Sequence, residues 1–85
     1  MVFMTKILNN AIFARNLKRI RKASKMTQEQ TVAKLQLLGS PISRSTYSLI
    51  EMGRGNIFVS DLVGLKQIFG VDYERFFEGI ETERQ

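Results

Sequence analysis

The feature that most limits this chain is its punctuation. Gly39 with Pro41 two residues on, the Gly53-Arg54-Gly55 turn and Gly70 cut it into short pieces, and none of them shows the clean apolar–polar alternation of a strand. The apolar residues recur instead at helical spacing: Ile12/Phe13, Leu17 and Ile20 in the first piece, Val32 and Leu35 in the second, Tyr47 and Ile50 in the third. Start signals fall where such helices need them. Thr27 with Gln30 three residues later makes a capping box, and Ser43, Ser60 and Asp72 are side chains suited to open the helices that follow them. Asp61 adds a negative charge where a helix dipole favours one. The reading is an all-α, compact five-helix bundle, with helices over residues 10–24, 28–38, 44–52, 61–69 and 73–78. Residues 1–9 read as an N-terminal arm, 10–80 as one domain and 81–85 as a polar tail.

Composition then removes whole classes of chemistry. The 85 residues include no cysteine and no histidine, so disulfides, thiolate metal sites, the common zinc sites, cysteine nucleophiles and histidine bases are all excluded. No pair of catalytic groups suggests itself in what is left; an enzyme is not expected, nor a cofactor or metal. No apolar run reaches the roughly 18–20 residues of a membrane span, and Met1–Leu8 is too short for a signal peptide. The expected location is the cytoplasm, at the nucleoid, with no membrane contact.

Charge is unevenly placed. Residues 1–56 hold ten basic residues against two acids, a balance of +8, while residues 57–85 hold three against six, a balance of −3. One part of the chain is suited to a polyanion and the other is not. The third helix carries the more specific signal. With Tyr47 and Ile50 turned inward, its outer face offers Arg44, Ser45, Ser48 and Leu49. A recognition helix lying in the major groove reads base edges from its N-terminal residues. Arg44 could give two donors to guanine, Ser45 could serve donor or acceptor edges, and Leu49 could meet a thymine methyl. The competing reading is a solvated arginine, helix filler at Ser45 and core packing at Leu49. Most of the lysines and arginines of the first helix read as a solvated face.

Thr27-Gln28-Glu29-Gln30, the run Ser43 to Gly55 and Phe69-Gly70-Val71-Asp72 together resemble the phage repressor and Cro family, also called Xre-like, over roughly residues 13–77. The resemblance implies a lambda-repressor-like helix-turn-helix domain that binds double-stranded DNA. It implies that Gln28 touches a phosphate while supporting the recognition helix, that Arg44, Ser45 and Leu49 face bases, and that Ser43, Thr46 and Arg54 meet the backbone. Asn56, in the same turn as Arg54, is a weaker phosphate candidate, since asparagine is an ordinary turn former. Arg21 and Glu51 match a partly buried ion pair that ties the first helix to the third. Two departures stand out. Thr31 and Val32 replace the family's Leu and Ala, the larger Val32 implying a changed helix crossing or a shifted register, and Gln36–Ile42 is longer than the usual tight turn, as an extra turn of the second helix plus a longer loop.

The implied mechanism is operator occupancy by a homodimer acting as a transcriptional repressor, with two recognition helices about 34 Å apart. Phe76, Phe77 and Ile80 are the candidate dimer surface, unless they cap the bundle; the apolar arm Met1–Leu8 is the other candidate. The alternative function is an antitoxin or protein-interaction adaptor with the same fold and a protein partner, such as a toxin.

Overall fold

The computed structural model of the chain describes residues 6, 7 and 10–81. These residues form a small, mostly helical domain of five helices: α1 (Ala11–Ala23), α2 (Gln28–Leu37), α3 (Arg44–Glu51), α4 (Val59–Phe69) and α5 (Tyr73–Phe77). The chain is not helical from end to end, however. Strand β1 (Lys6–Ile7) pairs antiparallel with β2 (Ile57–Phe58), with Lys6 opposite Phe58 and Ile7 opposite Ile57. Two residues cannot display an alternating pattern, so periodicity had no means of finding this pairing. It also ties two residues of the expected free arm to the domain. The rest of the arm, residues 1–5, 8 and 9, and the tail 82–85 lie outside the described residues.

The first three helices begin on side-chain caps. Asn10 Oδ1 accepts from the backbone N–H of Ile12 and Phe13 at 2.7 and 3.0 Å. At Thr27 both arms of the capping box form, with Gln30 N–H donating to Thr27 Oγ1 at 3.0 Å and Thr27 N–H donating to Gln30 Oε1 at 2.9 Å. Ser43 Oγ accepts from Thr46 N–H at 3.2 Å. Helix α4 departs from expectation. It starts at Val59 directly out of β2, Phe58 holds the cap position with no side-chain bond, and Ser60 lies inside the first turn. Asp72 does sit at the cap position of α5, but its side chain makes no cap bond.

The same three helices end alike. In each, a residue with positive φ follows the last turn, and two backbone N–H groups turn back to the helix carbonyls. At α3 these are Arg54 N–H to Leu49 O (2.9 Å) and Gly53 N–H to Ile50 O (3.0 Å), the paired pattern of a Schellman end. Gly53, at φ 79°, supplies the left-handed residue without a side-chain penalty. Lys25 takes the same role after α1 at φ 59°, so the sequence shows no glycine at that stop.

Helix α1 packs on α5 and α3, and α2 packs on α3 and α4. The core between them is one cluster built on Phe13, Leu17, Leu35, Tyr47, Ile50, Leu65 and Phe76, each such side chain contributing roughly 1.5–3 kcal/mol by leaving water. Val32 and Thr31 are buried at the α2 side, and Thr31 Oγ1 donates to Thr27 O at 2.9 Å. Gly64 explains how α4 approaches α2: a Cβ there would come within 2.9 Å of Leu35 Cδ2. Phe76 is wholly buried, its ring 6.2 Å from that of Phe13. It is therefore core and not an available dimer anchor, as a domain this small draws on its last helix to complete its core. Phe77 remains 37% exposed beside Phe13, and Ile80 is half-buried against the core.

Candidate nucleic-acid interface

The position of α3 is set by its inner face. Tyr47 and Ile50 are buried in the core, and Glu51, on the same side of the helix, is buried with them. A carboxylate leaving water requires several donors, and four bonds reach this one. Arg21 grips it with two, Nε to Oε2 at 2.7 Å and Nη2 to Oε1 at 3.0 Å. Tyr47 Oη donates to Oε2 at 2.6 Å, and Gln28 Nε2 donates to Oε1 at 3.1 Å. The remaining Arg21 nitrogen, Nη1, donates to Met26 O at 2.8 Å. Arg21 on α1, Gln28 on α2, and Tyr47 and Glu51 on α3 thus form one network joining three helices.

Its electrostatics agree with its geometry. Burial alone disfavours the Glu51 carboxylate, but hydrogen bonds from Arg21, Tyr47 and Gln28 outweigh that and hold its pKa below the ordinary value. The hydrogen bond to Glu51 pushes Arg21 up. Burial, reinforced by the adjacent carboxylate, pushes the Tyr47 phenol well above its usual range. The ion pair joining the first and third helices is thus present, enlarged by Tyr47, whose inward position was legible but whose hydroxyl role was not.

The outer face of α3 exposes Ser45 and Leu49, with Ser48 half-buried beside them. Leu49 is 43% exposed, so it is not core packing. Arg44 flanks this row on the α2 side. Its Nε donates to Gln28 Oε1 at 3.3 Å and its Nη1 lies 3.6 Å from Glu29 Oε2, with both charged side chains largely in water. Gln28 therefore has one end in the buried network and the other on Arg44. Glu29 is a participant that sequence reasoning overlooked; its place one residue after Gln28 at the start of α2 was the available signal.

On the opposite flank, Ser43, Thr46 and Asn56 line a cleft of about 230 Å³ with Ile42, Phe58 and Asp61. Ser43 Oγ donates to Thr46 Oγ1 at 3.1 Å, so the two hydroxyls are already engaged with each other. Asp61, buried in that cleft wall, opposes an approaching phosphate there. Arg54 stands apart in the exposed turn after α3. The structure thus gathers Gln28 and Arg44 on one side of α3, Ser43, Thr46 and Asn56 on the other, and Ser45, Ser48 and Leu49 between.

Among the described residues no group of three or more acidic side chains is arranged to hold a metal ion, and no helix is long and apolar enough to cross a membrane. Comparison with family models, curated proteins and solved structures yields no match to any of them.

Proposed function

We propose that the chain is a sequence-selective duplex DNA-binding protein in which α2 and α3 act as a helix-turn-helix and α3 is the recognition helix. The observation that carries this reading is the division of α3 itself. Its inner face is held by four bonds to Glu51, while its outer face keeps Ser45, Ser48 and Leu49 unencumbered in the N-terminal and middle turns. Recognition needs that combination, since a side chain reads a base edge only if its helix arrives at a defined depth and tilt. Arg44 suits the task because its present partners are weak. An exposed ion pair contributes about 0–1 kcal/mol, whereas a bidentate contact to guanine is worth about 1–3 kcal/mol of discrimination. Gln28 and Arg54 are the favoured backbone contacts; Ser43, Thr46 and Asn56, which share their cleft with Asp61, rank behind them.

Regulation follows from occupancy. Two copies on a twofold axis would set two α3 helices in successive major grooves of a pseudo-palindromic operator, the same arrangement as in the phage repressor family that the motif residues resemble. The test is selection of the purified chain against a random duplex pool at about 150 mM salt. Enrichment of a palindrome with half-sites about one helical turn apart is expected. Weak binding that fades with salt and enriches nothing would overturn the reading.

One observation favours a second reading, an antitoxin or adaptor with a protein partner. Leu37 is 86% exposed and Leu38 55% exposed at the C-terminal end of α2, and Val63 of α4 is also exposed. Adjacent exposed leucines are a common mark of a protein contact. Loss of a co-purifying partner in Leu37→Ser/Leu38→Ser, with no DNA selection by either form, is the outcome that would favour it.

A further inference from the structure

Arg15, Lys18, Arg19 and Lys22 occupy positions i, i+3, i+4 and i+7 of α1, and all four are exposed. At 3.6 residues per turn they share an arc of about 100°, directly opposite the buried Phe13, Leu17 and Ile20. Among the described residues the ion pairs are Arg21–Glu51, Arg44–Glu29 and Arg75–Glu78, so none of the four has an acidic partner among them. An acidic neighbour is at hand, since α5 packs on α1, yet the Glu78 carboxylate lies 3.9 Å from Arg75 instead. Like charges at these spacings repel, and four such pairs run along this one face (15–18, 15–19, 18–22 and 19–22), so the stripe weakens α1 until an anion covers it.

We infer that this stripe is a second duplex-DNA contact, made to the phosphodiester backbone outside the segment read by α3. Arg21, which turns toward Glu51 on α3, sits roughly 100° round α1 from the centre of the stripe, so the two surfaces are distinct. The occupant follows from what α1 can offer. A membrane-surface helix must insert an apolar face, and that of α1 is spent in the core. A protein partner would be held by aromatic or large apolar anchors, but only Ala11 and Ala23 are exposed beside the charges. A DNA backbone requires charge alone.

The inference rests on the chain binding duplex DNA but not on its selecting a sequence. The experiment is anisotropy titration of a 40-base-pair random duplex over about 50–300 mM KCl, using wild type and R15Q/K18Q/R19Q/K22Q. Each phosphate contact adds about 0.9 to the slope of log K against log salt. The quadruple variant is expected to lose about 2–3 from that slope, or about 100-fold in affinity at 100 mM, and to melt no lower than wild type because the repulsive pairs are gone. An unchanged slope in the quadruple variant overturns the inference, as does stripe-dependent binding to phosphatidylserine vesicles with the DNA slope intact. Wild type that binds no duplex overturns both this inference and the proposed function. A lowered slope in a protein that selects no sequence leaves the stripe standing and removes base reading by α3.

Discussion

The two sides of α3 are made of the same eight residues and obey opposite rules. Inward, Tyr47, Ile50 and Glu51 are buried and every polar group among them has a partner. Outward, Ser45, Ser48 and Leu49 touch little, and Arg44 is held only by a long bond and a loose ion pair. The inner side resists change because removing Arg21 or Glu51 strands a buried charge, and truncating Tyr47 or Ile50 opens the core. The outer side is free to vary because stability does not depend on it. A scaffold that separates the two in this way can alter what it contacts without altering how it folds.

The strongest way to break that contrast is to cut the network. Arg21→Ala leaves Glu51 buried with only Tyr47 and Gln28, and the expected loss is about 3–5 kcal/mol in denaturant unfolding. Replacing the pair together, Arg21→Met with Glu51→Leu, should cost much less, since no charge is then stranded. If the single and double variants lose equal stability, the network is ordinary packing and the contrast fails. Asn16 makes a comparable case at the other end of α1. Its buried Nδ2 donates to Phe76 O at 3.0 Å and Glu78 O at 2.9 Å, fastening α5. Asn16→Leu orphans both carbonyls, and an expected loss of about 1–3 kcal/mol would appear as a lowered melting temperature.

Acid acts on the same network more gradually. Hydrogen bonds from Arg21, Tyr47 and Gln28 hold the Glu51 pKa below the ordinary carboxylate value, so on acidification the unfolded chain takes up the proton first. Its contribution is complete above about pH 4.5 and is lost as the pH falls through the lower native value. Tyr47 limits the alkaline side. Its pKa is raised in the fold, so above pH 10, where the unfolded phenol ionises, stability declines. Urea unfolding between pH 3 and 11 checks both limbs. Glu51→Gln should flatten the acid limb and Tyr47→Phe the alkaline one; unchanged limbs would remove these groups as the cause.

What the sequence disclosed follows the same division. Helices announce themselves through caps and spacing, so α2 and α3 were legible nearly to the residue from Thr27, Ser43, Gly39 and Gly53. The Arg21–Glu51 pair came only from the family resemblance, because a contact spanning 30 residues leaves no local trace. Asn16 was missed because a polar residue within an apolar stripe reads as an interruption until its partners are seen. Phe76 was left between dimer surface and bundle cap for a related reason: α5 has five residues, too few for periodicity to distinguish its buried face from its exposed one. Pairing of β1 with β2 and the uncapped start of α4 depend on each other, and neither shows in a local window.

The smallest effect on folding is expected where the largest effect on function is proposed. Ser45→Ala removes no buried contact and no cap and should shift unfolding by no more than about 0.5 kcal/mol, and Leu49→Ala, which truncates a side chain 43% exposed, by about 1 kcal/mol. Should Ser45 and Leu49 face bases, the same variants will alter the sequences retained from a random duplex pool, relaxing one position of each half-site by about 1–3 kcal/mol of discrimination. Symmetry sharpens this test, because a twofold complex must relax at mirrored positions in both half-sites. Relaxation in one half alone would separate base reading from dimerisation. An unchanged motif in both variants would mean that the outer face of α3, though exposed and held in place, does not lie in the groove.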